Sequence, residues 1–148
     1  QATFISSTFW TERIGPTAAL KTLEVMEQLE SWKIITQTGL KIRKSWQQLA
    51  DKHSLNIEHW GLPALTGFTV KGERNLAYKT LITQEMLKKG YLAGNSIYVS
   101  VAHTEEKLSK FFDELDPVFN LIKECEDGKD VHSLLDGPVC HDGFKRLN

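Results

Sequence analysis

Residues 55–70 read LNIEHWGLPALTGFTV, and this stretch decides the fold. Leu55 to Trp60 alternates roughly by twos between apolar and polar side chains, and Ala64 to Val70 is a second strand candidate. Gly61-Leu62-Pro63 separates the two candidates, which favours an antiparallel pair. Because the segments on both sides follow helical periods, the stretch predicts a sheet set between helices.

Apolar residues at helical spacing surround this strand pair. Four helices are predicted: residues 14–30, 31–53 and 74–89, and a last long helix that begins at Thr104. Ser31 is expected to cap the second helix, and Gly90 is expected to end the third. Two further short strands are expected at Tyr91-Leu92 and at residues 97–99.

Helices and short strands in this order predict an α+β fold, in which a small antiparallel sheet is packed on one side by helices. The 148 residues fit one domain. We assign residues 1–124 to that domain and residues 125–148 to a polar C-terminal tail. The tail carries at most one or two helical turns near Val131, and it either covers the domain as a strap or is frayed.

The composition excludes several classes of protein. The chain has 18 basic and 19 acidic residues, and it has no basic run that would indicate nucleic-acid binding. No apolar run approaches the ~18 residues of a transmembrane helix, and no signal peptide follows Gln1. Cys125 and Cys140 lack the spacing of a zinc site or a disulfide framework. We therefore expect a reduced cytoplasmic protein that binds neither nucleic acid nor membrane. Since it lacks an initiator methionine, we also expect a fragment or a processed product.

Three consecutive hydroxyl side chains, Ser6-Ser7-Thr8, stand shortly before the first helix. Free backbone N–H groups and the positive end of the helix dipole make a helix start favourable for an anion, typically a phosphate. The residues alone leave two interpretations. The segment is half of a phosphate site, or a hydroxyl such as that of Thr11 merely caps the helix.

Two blocks of this sequence follow a pattern that extends beyond single elements. The first block is Ser7-Thr8-Phe9 followed, after a gap, by IGPTAALKTLEVME at residues 14–27, and the second is LKKGYLAGNSIYVSVAHTEE at residues 87–106. Both blocks resemble the class III aminotransferases, and most of all glutamate-1-semialdehyde aminomutase and its relatives, in which the second block matches the late part of the small domain. The blocks occur in the family's order and at a suitable separation, and together they cover most of residues 4–124.

The resemblance implies the C-terminal small domain of a fold-type I enzyme that uses pyridoxal 5'-phosphate (PLP). In the family the Thr of the first block reaches across the dimer interface to the cofactor phosphate of the other subunit. The matching residue here is Thr8, assisted by Ser7. Arg13 is a candidate for holding an anionic substrate, and Trp10 either lines the substrate site or packs at the dimer interface. The implied partners are the enzyme's own N-terminal large domain, a second subunit, and a small-molecule amino donor and acceptor.

The chain departs from the family's pattern at two places. The family usually has Ser-Gly-Asn-Pro where this chain has Trp10-Thr11-Glu12-Arg13. Residues 97–100 lack the Arg with which some class III enzymes clamp a substrate carboxylate. An aminomutase-type or amino-sugar-type substrate fits this absence better than an ornithine-type substrate.

The residues that carry the chemistry of such enzymes are missing from this chain. In the family the Schiff-base lysine, and the aspartate that pairs with the pyridine nitrogen, lie upstream of the first block. No lysine here has the expected Gly-rich context; Lys71-Gly72 is a turn between strand and helix. We therefore expect no catalytic residue in this chain and no activity of the isolated chain.

The remaining candidates rest on the residues alone. The five histidines form no pair at metal spacing, so no metal site is expected. His103 either fixes a strand-to-helix junction or contacts substrate. The alternative to an enzyme part is a non-catalytic α+β module for dimerisation or partner binding. A third hypothesis is a hydrolase that uses Cys140 and His141, although neighbours in a strand point to opposite faces.

Overall fold

The structure is a computed structural model, and it describes residues 12–143. Its elements in chain order are α1 (Ile14–Gln28), α2 (Ser31–Lys52), β1 (Ile57–Leu62), β2 (Leu65–Val70), α3 (Asn75–Lys88), β3 (Ser96–Tyr98), α4 (Glu105–Glu126) and a short 3-10 helix (Val131–Leu134). The chain divides into two compact units, and the boundary between Lys33 and Ile34 falls inside α2.

The sheet has the strand order β1-β2-β3, and both strand pairs are antiparallel. β1 and β2 form a hairpin in which Leu62 pairs with Leu65, and Tyr98 of β3 pairs with Leu65 from the other side. Phe68 and Val70 of β2 are buried at alternate positions, as the period of two predicts. The predicted α+β fold is confirmed.

Helices pack on one face of this sheet through three aromatic rings. Phe68 of β2 meets Trp46 of α2 with ring centroids 4.8 Å apart, and it meets Phe119 of α4 at 5.6 Å. All three side chains are fully buried. Burying one large apolar side chain contributes roughly 1.5–3 kcal/mol, so these contacts hold the sheet against α2 and α4.

The buried sides of α3 and α4 are those that the sequence predicts. The core residues of α3 are Ala77, Tyr78, Leu81, Ile82 and Met86. Those of α4 are Leu108, Phe111, Leu115, Val118, Phe119, Ile122 and Cys125. Gly90 follows α3 with φ 85°, a left-handed conformation that glycine adopts without strain. The four predicted helices are thus confirmed.

The α1 helix has no buried side chain. Four of its polar side chains lie in one stripe, namely Thr17, Lys21, Glu24 and Gln28. Much of the rest of its surface is apolar, and Leu20 and Leu23 are 71% and 62% exposed. An exposed apolar surface of this kind is typical of an interaction site.

Residues 131–140 of the tail pack against α3. Val131 is buried in the core. Gln84 of α3 donates to the carbonyl of Leu134 at 2.8 Å and accepts the N–H of Asp136 at 2.7 Å. These bonds fix the tail over the outside of α3.

The predicted hairpin turn is displaced toward the C-terminus. β1 continues through Gly61 and Leu62, and the turn consists of residues 63–64. Gly61 has φ 78°, and a β-carbon there would lie 2.2 Å from the carbonyl oxygen of Leu65. Glycine therefore lets the strand continue close to its partner, and Pro63, which lacks an N–H, ends it.

The strand predicted at Tyr91-Leu92 is wrong. The N–H of Tyr91 donates to the carbonyl of Met86 at 2.9 Å and so closes the end of α3. The Tyr91 ring packs on Phe111 at 5.6 Å, and Leu92 is 96% exposed. The backbone at Tyr91 completes a helix end, so it is not available for strand pairing.

The predicted cap at Ser31 is also wrong. Ser31 is the first residue of α2 itself, whereas an N-cap residue lies outside the helix with an extended backbone. Its hydroxyl is buried and has no hydrogen-bond partner within residues 12–143. The preceding Glu30 has φ 46°, which reverses the chain directly into α2.

Candidate functional site

The structure describes only one of the four residues predicted to bind cofactor or substrate. Arg13 lies at the N-terminal boundary of α1, where its carbonyl accepts the N–H of Thr17 at 3.0 Å. The Arg13 side chain is exposed. Ser7, Thr8 and Trp10 lie outside the described residues.

The carboxylate of Glu12 occupies the start of α1. One of its oxygens accepts the N–H of Ile14, and the other accepts the N–H of Gly15 at 3.0 Å. The first-turn amides and the helix dipole both stabilise a negative charge at this position. Glu12 thereby caps the start of α1, whereas Thr11, which the sequence suggested for this role, lies outside the described residues. The backbone N–H groups at the start of α1 therefore already bind a carboxylate of the same chain.

Arg43 of α2 fastens the β1–β2 hairpin to the helix. Its Nε donates to Oγ1 of the buried Thr66 at 2.7 Å. Its Nη2 donates to the carbonyls of Trp60 at 3.2 Å and Gly61 at 2.5 Å. Charge-assisted hydrogen bonds of this kind are stronger than neutral ones. The role of Arg43 was not predicted from the sequence, because one basic residue on a helix usually faces water. The available signal was the nearness of Arg43 to the apolar Trp46.

His59 of β1 lies beside these hydrogen bonds of Arg43, and its imidazole is held in the neutral form. Burial first, and then the charge of Arg43, lower the pKa of His59 below its ordinary value, while a hydrogen bond with the backbone of Gly67 acts in the other direction. Its Nδ1 is buried without a hydrogen-bond partner within residues 12–143. The imidazole therefore supports the hairpin as a neutral ring.

A cleft of about 310 Å³ opens between β3 and the start of α4. Its walls are largely apolar, with Phe111 at one side, and Tyr98 and His103 add polar groups. Nδ1 of His103 accepts the N–H of Ser100 at 2.9 Å, so a neutral imidazole carries its proton on Nε2. This bond supports the structural interpretation of His103, in which it fixes the strand-to-helix junction.

Cys140 and His141 form no nucleophilic pair in the structure. The Cys140 Sγ lies 3.6 Å from the carbonyl oxygen of Leu76, and the Cys140 N–H donates to Thr80 Oγ1 at 2.9 Å. His141 is exposed. Within residues 12–143 no group of His, Cys, Asp and Glu side chains is placed to hold a metal ion. No helix in that range is long and apolar enough to cross a membrane.

A second polar cluster links α3 to α4. Arg74 donates to the carbonyl of Cys125 and to the Glu126 carboxylate, both at 2.7 Å, and the Tyr78 hydroxyl also donates to Glu126. Burial first, and then Glu126, raise the pKa of Tyr78 well above its ordinary value. A phenol that keeps its proton so firmly is a structural donor rather than an acid–base catalyst.

Lys88 and Lys129 lack the environment of a Schiff-base nucleophile, which needs a desolvated amine with a depressed pKa. The hydrogen bonds that Lys88 donates to Glu85 and Asp136 raise its pKa, and the one that Lys129 donates to Glu124 raises that of Lys129. Both amines are thereby held more firmly in the protonated, non-nucleophilic form.

Comparison with known proteins finds similarity in sequence and in fold. No protein-family model matches the chain. The 3-aminobutyryl-CoA aminotransferase of Cloacimonas acidaminovorans (strain Evry) is 25% identical over 114 residues, which is 72% of this chain and 27% of that protein. The FumI protein of Sphingopyxis sp. MTA144, solved in its PLP internal aldimine form, has a TM-score of 0.76 at 16% identity and is matched over 89% of this chain and 32% of its own.

The chain resembles part of a PLP-dependent aminotransferase. Both comparisons confirm the resemblance that the two sequence blocks predict, one through sequence and the other through fold. In each case the chain spans about a third or less of the relative's length.

Proposed function

We propose that this chain is the C-terminal small domain of a longer class III, aminomutase-like PLP-dependent aminotransferase. The observation that carries the proposal is the fold match to a PLP-containing protein, which covers 89% of this chain but only 32% of that one. The complete enzyme would move an amino group between a donor and a carbonyl acceptor. PLP would supply the group that carries the amino function and accepts electrons.

Thr8, assisted by Ser7, would bind the cofactor phosphate of the partner subunit. The described start of α1 limits how this can occur. Because the carboxylate of Glu12 holds the N–H groups of Ile14 and Gly15, the phosphate would depend on the two hydroxyls and not on these amides. Placing a phosphate on the same two amides would require Glu12 to leave, since two anions repel each other.

Arg13 and Trp10 would lie at the substrate side of the site. The exposed guanidinium of Arg13 is available to an anionic group of the substrate, and Trp10 would line the site or pack at the dimer interface. β3 and the residues after it offer Tyr98 and Ser100 where an Arg would clamp a carboxylate. The substrate named for the relative, 3-aminobutyryl-CoA, is a thioester rather than a free acid. An amino compound without a free α-carboxylate is therefore the proposed substrate class.

The remaining partners follow from the same proposal. The chain would fold against its own N-terminal large domain and act in a homodimer, and alone it would be inactive. Both cysteines are free thiols, which supports a reducing compartment such as the cytoplasm. No observation among the described residues favours the alternative of a non-catalytic dimerisation module.

Hybrid dimers of the full-length enzyme test the role of Thr8 across the subunit interface. One subunit carries Thr8→Val, and the other carries a substitution of the Schiff-base lysine. If Thr8 serves the partner's cofactor, each hybrid contains one site with both an intact lysine and an intact Thr8, so activity is recovered above that of either parent homodimer. No recovery would show that Thr8 acts within its own subunit or not at all.

The same variant measured alone separates cofactor binding from folding. Thr8→Val in both subunits should weaken PLP binding by about ten- to a hundredfold, because a hydrogen bond to a charged group contributes roughly 1.5–3 kcal/mol. Thr17→Val is the matched control, since Thr17 lies on the exposed polar stripe of α1. Equal PLP affinity in both variants would overturn the assignment of Thr8.

A further inference from the structure

The tail of the chain lies along the outside of α3. The side-chain amide of Gln84 donates to the carbonyl of Leu134 at 2.8 Å and accepts the N–H of Asp136 at 2.7 Å. One helical turn earlier, Oγ1 of Thr80 accepts the N–H of Cys140 at 2.9 Å. The tail therefore runs antiparallel to α3, toward the N-terminal end of the helix.

A cleft of about 210 Å³ lies where the tail reaches that end of α3. Trp60 of β1, which is 42% exposed, forms one of its walls, and Leu76 and Lys79 line it from α3. Asp142 contributes the side that belongs to the tail. The cleft thus lies between the β1–β2 hairpin, the start of α3 and the last described residues of the chain.

The ring of Trp60 is fixed before any other side chain packs on it. It lies over Gly67, where a β-carbon would be only 2.3 Å from a ring atom. Its indole N–H donates to Thr69 Oγ1 at 3.1 Å, which sets the orientation of the ring. A preformed aromatic surface loses little conformational entropy when another side chain covers it.

The described part of the chain ends at the rim of this cleft. Asp142 lines the cleft, and Gly143 follows with φ 72°, a left-handed conformation that glycine adopts without strain. Phe144 is the next residue, and it lies outside the described residues. Because consecutive Cα atoms are about 3.8 Å apart, the Cα atoms of Asp142 and Phe144 lie within about 8 Å of each other. A phenyl ring attached at this position can reach the cleft.

We propose that Phe144 fills this cleft and packs on the ring of Trp60, so that the tail ends in an aromatic anchor. Aromatic rings pair in offset-stacked or edge-to-face arrangements with centroids about 4.5–7 Å apart, and the fixed ring of Trp60 offers such a surface. Leu76 adds an apolar wall. The inference goes beyond the proposed function and does not depend on it, because it concerns contacts within these 148 residues alone.

The chemistry of the cleft selects Phe144 among the residues that follow the described chain. These residues are Phe144, Lys145, Arg146, Leu147 and Asn148. Lys79 already places a positive charge in the cleft, and like charges repel each other, which disfavours the two basic residues of the segment. The leucine is apolar but lies three residues farther along, so its placement requires the ordering of three more residues. Phe144 combines an apolar side chain with the shortest tether.

A side chain of the same chain suits the cleft better than a second copy does. A cleft of this size offers far less than the ~800 Å² per partner that a stable interface between separate proteins buries. A tethered side chain needs no such area, because the tether sets a local concentration in the millimolar range. The contact is therefore expected within one chain and at any dilution.

Photo-crosslinking identifies the occupant of the cleft directly. The full-length gene product carries a benzophenone amino acid in place of Phe144, and the linked peptides are identified by mass spectrometry after irradiation. We expect a link within one chain to the peptide that contains Trp60 or to the one that contains Leu76. A matched protein with the benzophenone in place of Leu147 should form several-fold less of this link. Equal yields in the two proteins, a link only to a second copy or to residues outside these 148, or no link at all would overturn the proposal.

Hydrogen exchange provides an independent test in the same full-length protein. Phe144→Ser should raise the exchange rate of the Cys140 N–H several-fold, because the anchor holds the end of the tail against α3. The N–H of Asp136 is held by Gln84 and should keep its exchange rate. Leu147→Ser is the matched control and should change neither rate. An unchanged rate at Cys140, or an equal rise at Cys140 and Asp136, would contradict an anchor that acts at the end of the tail.

Discussion

The imidazole of His59 lies on the inner side of the β1–β2 hairpin, with its ring stacked near Trp46 at 6.3 Å between centroids. Burial and the guanidinium of Arg43 lower its pKa below the ordinary value of 6.5. In the unfolded chain the same side chain titrates at that ordinary value. Between the two pKa values the unfolded chain binds more protons, so stability rises with pH through this window and is fully present above it.

The difference between the folded and unfolded pKa values of His59 predicts a pH dependence of the free energy of unfolding that this one residue causes. The free energy of unfolding should decrease as the pH falls below 6.5, and His59→Phe should remove part of that decrease. Urea unfolding of both proteins between about pH 5 and 8 measures the difference. The other histidines are present in both proteins, so their contributions to the pH dependence cancel. Identical pH slopes would show that His59 is not buried as a neutral ring.

Single residues also show which contacts could not be predicted from the local sequence. Ser31 was expected to cap α2, and a capping hydroxyl was one of two interpretations of the segment before α1, because Ser and Thr are frequent N-caps. Glu12 caps α1 instead, and an acid just before a helix was a signal available in the sequence. The buried hydroxyl of Ser31 gave no such signal, and the hydrogen bonds of Arg43 were indicated only by the nearness of Arg43 to the apolar Trp46. Both depend on which segments meet in space, and local sequence does not encode that.

At the scale of elements, α2 approaches the hairpin turn at Gly39. A β-carbon on Gly39 would lie 1.8 Å from the carbonyl oxygen of Pro63. Helix propensity alone favours alanine over glycine by about 1 kcal/mol. The close contact between helix and turn reverses this preference, because the backbone of the turn cannot yield as a flexible side chain would.

Gly39→Ala should therefore destabilise the protein by about 1–3 kcal/mol, the usual cost of overpacking. The matched control is Gly137→Ala, where a β-carbon would meet nothing within 4 Å. Chemical denaturation measures both variants. A Gly39→Ala variant as stable as the native chain would mean that α2 and the turn do not meet as closely as the structure shows.

Helices and strands with a strong hydrophobic period could be predicted from the sequence, whereas the connections between them were less predictable. The helices were found because long apolar stripes and Gly90 define them locally. The turn was displaced because Gly61, which usually breaks strands, instead permits a close approach to Leu65. Tyr91 was taken for a strand because its apolar character fits both a strand and a helix end. Only the partner of its N–H, the carbonyl of Met86, decides between them.

At the scale of the whole molecule, two apolar surfaces remain without cover in the described chain. One lies on the free face of the sheet, where Leu62 and Tyr98 are 73% and 78% exposed, and the other is α1, in which no side chain is buried. Exposed apolar surfaces of this kind mark interaction sites. The predicted cofactor site could not be derived in full from this sequence, because in the proposed enzyme it is shared: Thr8 would contribute a hydroxyl, while the lysine and the pyridine partner lie elsewhere.

The measurement that tests the central claim most directly is to locate the cofactor's lysine. The full-length gene product is reduced with borohydride, and the PLP-bearing peptide is identified by mass spectrometry. We predict one PLP per chain on a lysine outside the 148 residues, and no PLP adduct when the 148-residue chain is treated alone. A full-length product without PLP, or an adduct on a lysine within these 148 residues, would contradict the account.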